Sequence, residues 1–508
     1  MAGGRLRPRR VVGGVRDRAG SRRRRGYATW GQMPDRAESG SSWWADDSYW
    51  FPSGTPPRQN SKVQVLLDGE ETFLAAWKAI SQAKHSVWLV DWAMSTDMEL
   101  VRGAGTEGVP PAVGPTSSGY RVFDLVTAMA DRVDVRILLW SGSLMFRPRS
   151  LVARRGLHKL REANPRVNGR VDKHIRFTHC HHQKTIVVDG EIAFVGGLDM
   201  TDFDIDRWDT SAHPVRDGLN WHDLCLRLEG EAAADIGRNF IQRWNAISGE
   251  NVCLPAAETR DETETDTSVQ VVRTIPAKLY QFAPNGEFGI AWAYQQAIRN
   301  AKRFIYLENQ YLWSPAVVNE LLAALQRVDD PDFRIALVLP ARPNIGKRDT
   351  DLHARQLREA DGGRGRVHIF SLYTAAPKDD GSWIYKPIYV HAKVGIVDDH
   401  WFTVGSANLN ERGMEGDSEI NAQVVDDDLA NELRLRLWSE HLRLPVETIA
   451  TLSPSDAIDR LWVPLAAHAR KVIDGREGAL HTSVVHYDLG EMPGDLSIGE
   501  LQARLLDA

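Results

Sequence analysis

The chain has 508 residues, 43% of them hydrophobic and 26% charged, which is enough to bury the core of a large globular protein. The net charge is −6 although residues 1–26 contain ten Arg and one Asp, so the rest of the chain is strongly acidic. An acidic body argues against a general nucleic-acid-binding protein, which needs a basic face. Three cysteines are too few for a disulfide framework and favour a reducing compartment, so we expect a cytoplasmic protein.

The first 60 residues consist of an Arg-rich tail and a segment rich in Trp, Ser and Pro. The tail lacks the apolar stretch of a signal peptide, and no apolar run is long enough to span a bilayer. We expect a disordered tail and lead-in over 1–60, with the start at Met1 or Met33. The aromatic residues of the lead-in suit a membrane anchor, a cage for a choline head group, or a cover over the first lobe. They are Trp43, Trp44, Tyr49, Trp50 and Phe51.

An internal repeat organises the chain after residue 60. Residues 79–89 align with 297–307, and each segment reads as the end of an amphipathic helix that runs into a buried strand. An apolar strand follows in each half, at 135–140 and at 334–339. Helices that alternate with nearly continuous apolar strands indicate the α/β class. We therefore predict two similar lobes, each a mixed β-sheet flanked by helices, with the active site in the cleft between them.

The repeat also sets the expected domain boundaries. The first lobe is predicted over residues 61–255 and the second over 271–450. Residues 256–270 are acidic and without periodicity, which is typical of a linker. Residues 451–508 mix helical segments with Gly and Pro and form a predicted C-terminal extension.

One motif, H-x-K-x-x-x-x-D, occurs in each half. His182 and Lys184 are two residues apart, so on a strand they point to the same face, and His391 and Lys393 repeat the arrangement. Each motif continues as a β-prone strand, a turn and a second strand, which is the pattern of a hairpin. The predicted turn and glycine positions are Asp189, Gly196 and Gly197 in the first hairpin and Asp398 and Gly405 in the second.

Two His-Lys pairs that face each other suit phosphoryl transfer. One imidazole can attack as a nucleophile while the other protonates the leaving group. The two ammonium groups, helped by Ser406 and Asn408, can hold the non-bridging oxygens of a phosphodiester. Neither role requires a metal ion or another cofactor, so we expect none. Because one chain carries both motifs, we also expect a monomer.

These features resemble the phospholipase D superfamily, which is defined by two such motifs that form one site, and within it the eukaryotic-type phospholipases D. The resemblance spans roughly residues 62–445. The supporting blocks are Gly196-Gly197-Leu198-Asp199, Trp221-His222-Asp223, Arg243-Trp244-Asn245, Glu308-Asn309-Gln310, Gly405-Ser406-Ala407-Asn408 and Asp417-Ser418-Glu419.

The resemblance implies roles for individual residues. His182 would be the nucleophile, and His391 the general acid and then the general base. A carboxylate would fix the tautomer of each imidazole. By position in the matching blocks we assign Asp223 to His182 and Glu419 to His391. The walls of the pocket are expected at the end of a buried strand, from Glu308, Asn309 and Gln310.

The implied reaction is hydrolysis of a glycerophospholipid, by default phosphatidylcholine, to phosphatidic acid and a free head group through a phosphohistidine. A second alcohol could intercept that intermediate, so transphosphatidylation is expected as well. The substrate would be met peripherally at a membrane surface, and Trp92 and Trp208 are candidates for a choline cage. The alternatives are a phosphatidyltransferase of the cardiolipin-synthase type, a nuclease of the same superfamily and a non-catalytic lipid-binding scaffold.

Overall fold

The computed structural model describes residues 49–59, 61–140, 142, 147–175, 179–203, 205–256, 267–476 and 478–490. The Arg-rich tail, both possible starts, Trp43, Trp44 and most of the predicted linker lie outside these ranges. No helix in the described part of the chain is long and apolar enough to cross a membrane.

The described residues form β-strands and α-helices that alternate along much of the chain. In chain order the strands are β1 (Lys62–Leu67), β2 (Ser86–Asp91), β3 (Ala112–Val113), β4 (Ser118–Gly119), β5 (Asp134–Trp140), β6 (Asn168–Asp172), β7 (Thr185–Val188), β8 (Ile192–Gly196), β9 (Asn220–His222), β10 (Leu224–Glu229), β11 (Ser268–Ile275), β12 (Glu287–Phe288), β13 (Phe304–Glu308), β14 (Arg334–Val338), β15 (Val367–Pro377), β16 (Trp383–Val390), β17 (Val394–Val397), β18 (Trp401–Gly405), β19 (Glu419–Val425) and β20 (Val484–His486). The helices are α1 (Asp68–Ser81), α2 (Val122–Met129), α3 (Arg147–Ala163), α4 (Glu231–Ser248), α5 (Gly289–Asn300), α6 (Pro315–Arg327), α7 (Lys347–Asp361), α8 (Asp427–Leu442), α9 (Val446–Ala450), α10 (Pro454–Ala457) and α11 (Val463–Gly475).

All the strands except β3 and β4, which pair with each other, form two mixed sheets, which confirms the predicted fold class. The first has the order β1-β10-β8-β7-β2-β5-β6. The second has the order β12-β11-β19-β18-β17-β13-β14-β15-β16-β9, and β20 also pairs with β15. In the first sheet β2, β5 and β6 are parallel while β7 is antiparallel to β2, and in the second β13, β14 and β15 are parallel while β17 is antiparallel to β13.

The two sheets share a hydrophobic core. One cluster of buried side chains includes Val90 and Val195 from the first sheet and Val394 and Val404 from the second. A separate cluster in each lobe lies against its other helices. Strands β2 and β13 are fully buried, which explains why they read as continuous apolar runs.

Three strands do not follow the predicted division of the chain into a first lobe, a linker, a second lobe and an extension. Strand β9 belongs to the first half but pairs in parallel with β16 of the second sheet. Strand β11 begins at Ser268, inside the range expected for the linker, and β20 lies in the range of the C-terminal extension. We therefore propose that the second lobe begins at β11 and includes residues 484–486.

The described part of the aromatic lead-in packs on the second lobe. The ring centroids of Phe51 and Trp292 are 5.8 Å apart, and Gln270 donates a hydrogen bond of 2.8 Å to the carbonyl of Phe51. Tyr49 contacts His400, also in the second lobe. The expectation that this segment covers the first lobe is wrong for these residues, because Phe51 is bonded to strand β11.

Candidate active site

The two motif histidines lie at the same edges of their sheets. His182 and His391 each stand three residues before a strand, β7 or β17, that runs antiparallel to the parallel strands. They therefore lie beside the carboxyl ends of β2 and β13, where sites of α/β proteins form. The two imidazole centroids are 6.5 Å apart, and the side chains are almost fully buried. The structure thus brings the two motifs into one site.

Each imidazole is held by a carboxylate from the other half of the chain. Nδ1 of His182 lies 3.0 Å from Oε1 of Glu419, and Nδ1 of His391 lies 2.6 Å from Oδ2 of Asp223. Our assignment of Asp223 to His182 and of Glu419 to His391 was therefore wrong. With both Nδ1 atoms engaged, Nε2 of each ring is the nitrogen left for chemistry on a substrate.

Backbone pairing across the lobes explains the exchange. The amide of His182 donates to the carbonyl of Ser418 at 2.9 Å, and the amide of His391 donates to the carbonyl of His222 at 2.8 Å. Ser418 and His222 immediately precede the two carboxylate residues in the sequence. Each lobe thus delivers its carboxylate to the histidine of the other lobe, which proximity in the sequence does not indicate.

The two motif lysines are buried in different surroundings. Nζ of Lys184 donates to the carbonyl of His182 at 2.9 Å and lies 3.2 Å from Oδ1 of Asp199. Nζ of Lys393 donates to the carbonyl of His391. Within the described ranges no carboxylate oxygen lies within 4.0 Å of Nζ of Lys393, so its charge is the less compensated of the two.

Burial shifts the pKa of the groups around His391. It raises the pKa of the Asp223 carboxyl to about 7, although the charge on Lys393 acts against this. It lowers the pKa of Lys393 to about 7, where Asp223 opposes the shift and Lys184 adds to it. Burial and then the two lysines hold the pKa of His391 well below its usual value. An anionic phosphate beside these cations would raise the imidazole pKa, as general acid catalysis requires.

Ser406 and Asn408, expected to bind phosphate, behave differently. The Ser406 hydroxyl donates to Oε2 of Glu419 at 2.5 Å and accepts from the amide of Ile420 at 3.0 Å. It therefore orients the carboxylate that holds His182. Asn408 is buried, and among the described residues its Oδ1 has no hydrogen-bond partner. Because an amide oxygen only accepts hydrogen bonds, it is the NH2 group of Asn408 that could donate to a phosphate oxygen.

The predicted turn and glycine positions shape the scaffold. Asp189 and Asp398 have φ angles of 55° and 58° and lie at the hairpin ends opposite the site. Their carboxylates accept backbone amide hydrogen bonds from the segments that lead into β2 and β13. A Cβ on Gly197 would overlap the Asp223 carboxylate, and Gly196 and Gly405 meet strands β10 and β19 just as closely. Side chains at these glycines would displace the parts that hold the histidines.

The expected pocket residues are of two kinds, completely buried side chains and one that is slightly exposed. Glu308 and Asn309 are completely buried. Asn309 accepts the amide hydrogen bond of Leu409 at 2.9 Å, and Glu308 bonds to buried histidines, so neither lines the cleft as expected. Gln310 donates to the hydroxyl of Tyr389 at 2.8 Å and is slightly exposed.

Comparisons with known proteins agree with this geometry. Residues 294–439 match the family model of the cardiolipin synthase, phospholipase D-like domain, and residues 216–317 match the phospholipase D model. The chain is 28% identical to phospholipase D A of Dictyostelium discoideum, covering 77% of this chain and 36% of the relative. It is 27% identical to phospholipase D alpha 4 of Arabidopsis thaliana, covering 72% and 62%. The chain belongs to the phospholipase D superfamily.

The relatives place it with the eukaryotic-type phospholipases D, although it spans less than two thirds of the length of either one. A solved structure supports the fold alone. Phosphatidylserine synthase of Haemophilus influenzae aligns with a TM-score of 0.50 and 12% identity, over 88% of this chain and 93% of the other. The likeness in fold therefore extends over nearly the whole of that structure.

A buried set of metal-ligating side chains beside this candidate site could hold a divalent cation. Its ligand atoms lie within 4.8 Å of one another, and its nitrogen–oxygen distances of 2.9–3.3 Å suit nitrogen and oxygen ligands around a small ion. The members are Asp68, His213, His222 and Glu440. The outer ring nitrogens of the histidines are held by Asp209 and Glu308, which is the usual orientation of metal-bound histidines.

The same groups also satisfy one another as ion pairs. In that form, and despite burial, Asp68, Asp209 and Glu440 raise the pKa of His213 to about 10. We expect no metal ion in the reaction because the two histidines and two lysines can carry out phosphoryl transfer by themselves. This set lies beside those residues and does not change that expectation. No sequence pattern predicts this set, because Asp68 and Glu440 are hundreds of residues apart.

Two further side chains at the site were not identified from the sequence. The ring of Trp221 lies 4.6 Å from that of His391, and the guanidinium of Arg207 lies 4.0 Å from the Trp221 centroid. Trp92, proposed for a choline cage, has its ring centroid 6.0 Å from that of His182. Trp208, the other candidate, has the guanidinium of Arg102 over its ring at 5.0 Å. Trp92 and Trp221 therefore flank the two histidines, and Trp208 does not.

Proposed function

We propose that this protein is a phospholipase D that hydrolyses glycerophospholipids, by default phosphatidylcholine, to phosphatidic acid and the free head group. The observation that carries the proposal is the arrangement of His182 and His391. Their rings are 6.5 Å apart, and each Nδ1 is held by a buried carboxylate. Two imidazoles with oriented Nε2 atoms can supply a nucleophile and a proton donor to one phosphodiester.

The steps follow from that arrangement, with His182 taken as the nucleophile by family resemblance. Nε2 of His182 attacks phosphorus while the bond from phosphorus to the head-group oxygen breaks, and Nε2 of His391 donates its proton to that oxygen. Water then gives a proton to His391 and attacks phosphorus, and the phosphorus–nitrogen bond breaks. Lys184 and Lys393 hold the non-bridging oxygens throughout.

Transfer to an alcohol is the second candidate activity, because an alcohol can replace water in the second step. It is favoured by the match to the cardiolipin synthase family model over residues 294–439. The two activities differ only in the acceptor of the second step, which is water for a hydrolase and an alcohol for a phosphatidyltransferase. Ethanol reports this directly, since its product is phosphatidylethanol.

The test uses purified protein with phosphatidylcholine vesicles, with and without ethanol. We expect choline release, phosphatidylethanol when ethanol is present, and no turnover by His182→Ala or His391→Ala. His468→Ala, at an exposed histidine, is the matched control. Turnover of nucleic acid but no lipid would favour the nuclease, and lipid binding without turnover by wild type would favour the scaffold.

The two histidines can be told apart with p-nitrophenyl phosphocholine, whose leaving group needs little protonation. We expect His391→Ala to release one equivalent of p-nitrophenol per chain in a burst, and His182→Ala to release none. A burst from His182→Ala and none from His391→Ala would reverse the two roles.

A further inference from the structure

Large hydrophobic side chains are seldom exposed on this protein. Among the described residues four stand out: Val113, Leu151, Ile345 and Leu352, with exposed fractions of 73%, 51%, 37% and 51%. Single exposed apolar residues are normal on soluble proteins. Their position is the notable feature, because all four lie in the connections that follow β2, β5 and β14.

Those connections begin at the edge of each sheet where the site lies. Strands β2 and β5 are parallel, so their carboxyl ends share one edge, and His182 lies at that edge before the antiparallel β7. Strands β13 and β14 have the same relation to His391 before β17. Leu151, Ile345 and Leu352 come early in their connections and are thus on the active-site side of the two lobes. Val113 is not, because the adjacent Gly114 lies against Thr127 near the end of α2.

Two of the four occupy equivalent helices. Helix α3 follows β5 in the first lobe and α7 follows β14 in the second. Each packs beside the segment that leaves the neighbouring strand. Lys159 of α3 bonds to Asp97, which follows β2, and His353 of α7 bonds to the carbonyl of Leu312, which follows β13. Each helix presents one exposed leucine within its first two turns.

Exposed arginines accompany both leucines. Arg154 and Arg155 come three and four residues after Leu151, and Arg355 comes three residues after Leu352. Residues at these spacings are neighbours on one face of a helix. A leucine beside arginines is suited to the interface of a bilayer, where the leucine enters the acyl region and the guanidiniums meet lipid phosphates. The net charge of −6 makes such local basic faces unlike the chain as a whole.

We propose that these residues form a docking rim that seats the active-site cleft on a bilayer containing anionic lipid. The rim comprises Leu151, Arg154 and Arg155 on α3 and Leu352 and Arg355 on α7, with Ile345 shortly before α7. The proposal rests on the proposed function, because a substrate held in a bilayer gives this side of the protein its partner. Leucines supply the insertion, and arginines supply the preference for anionic lipid.

The test measures sedimentation with vesicles of phosphatidylcholine alone or with phosphatidylglycerol added, using the full chain in a His182→Ala background. We expect Leu151→Glu/Leu352→Glu to weaken binding to both vesicles by at least about tenfold. Arg154→Glu/Arg155→Glu should remove the preference for the anionic vesicles. Lys78→Glu/Lys302→Glu, at exposed residues before β2 and β13 on the opposite edge, should leave the leucine-dependent binding unchanged.

Turnover in the wild-type background separates docking from chemistry. Rim variants should hydrolyse monomeric p-nitrophenyl phosphocholine within about twofold of wild type and vesicle lipid at least about tenfold more slowly. Unchanged vesicle binding by the leucine variant would overturn the docking rim even if the enzyme is active. Loss of binding without any phosphodiester turnover by wild type would retain the rim and reject the proposed function.

Discussion

The two lobes use the same backbone scaffold with different charges. In the first lobe the carboxylate of Asp91, at the end of β2, accepts the amide hydrogen bond of Met200 at 2.8 Å. In the second lobe the amide oxygen of Asn309, just past β13, accepts that of Leu409 at 2.9 Å. The duplicated fold needs an acceptor at this position, and an acid or an amide can supply it. The charge is therefore free to differ.

The same difference in charge is found beside the two motif lysines. Asp199 pairs with Lys184, and the repeat places Asn408 at the equivalent position beside Lys393. Asp91 contributes no second charge, because burial and Asp199 raise its pKa well above the usual range. The first lobe thus holds a neutralised cation, while the second holds one that is available to a phosphate. Duplication gave the symmetry of the site, and these side chains give it two unlike halves.

The largest effects are expected from the carboxylates that cross between the lobes. Asp223→Asn and Glu419→Gln replace the carboxylates that hold Nδ1 of His391 and His182 by uncharged amides, so kcat should fall about 10²–10⁴-fold for each. With p-nitrophenyl phosphocholine, Asp223→Asn should still release part of the p-nitrophenol burst. This leaving group needs little protonation, so the general acid His391 contributes less. Steady-state and burst kinetics measure both effects.

The controls are Asp217→Asn and Glu411→Gln, which change exposed carboxylates near each site residue in the sequence. They should retain wild-type kcat. If Asp223→Asn and Glu419→Gln also stay within about tenfold of wild type, the cross-lobe pairs are structural contacts without a role in the reaction.

The repeat, both motifs and the two-sheet fold could be predicted because apolar periodicity and matched spacing are local in sequence. The partners of His182 and His391 could not, because they depend on backbone pairing between the lobes. For His391 this is the pairing of β9 with β16, and for His182 it is the bridge between His181 and Ser418. The same holds for Ser406, whose hydroxyl faces Glu419 because of the bend after β18. Local pattern specifies strands, while packing between the lobes decides which side chains meet.

The buried set around His213 joins the two halves and has the next largest expected effect. His213→Ala removes one of the two imidazoles that pair with the carboxylates of Asp68 and Glu440 and leaves only His222 of this set between them, so the free energy of unfolding should fall by about 3–5 kcal/mol. Chemical denaturation measures the change, and the exposed His468→Ala is the control.

A chelator distinguishes a set that binds a cation from a set whose members form ion pairs with one another. If His213 and Glu440 bind a cation, chelation lowers the melting temperature of wild type but not of His213→Ala. If they form ion pairs, chelation changes neither protein. A variant as stable as wild type would contradict the buried network itself.

Exchanging the unlike residues tests the comparison directly. Asn408→Asp places a carboxylate beside Lys393, so kcat/KM should fall about 10–100-fold. Asp199→Asn should cost less than about threefold, because Asp91 can then ionise and keep the charge beside Lys184. The exposed Asn319→Asp is the control. Equal losses from Asp199→Asn and Asn408→Asp would mean that the lobes are electrostatically equivalent.

The smallest effect is a shift in the pH profile. Burial lowers the pKa of Lys393 to about 7, and only the protonated amine holds a phosphate oxygen, so kcat/KM should fall as the pH rises through about 7. The fall in kcat should occur at a higher pH than the fall in kcat/KM, because bound phosphate favours the ammonium form of Lys393. In Asn408→Asp the new carboxylate raises the pKa of Lys393, so the limb of kcat/KM should move to higher pH although the rate is lower.

Lys393→Arg provides the matched control for this limb, since a guanidinium keeps its charge over the whole range. Its kcat/KM should show no fall near pH 7, whatever its maximum value. A limb that stays in place in both Lys393→Arg and Asn408→Asp would belong to another group. In that case the uncompensated charge on Lys393 would not be what distinguishes the second lobe from the first.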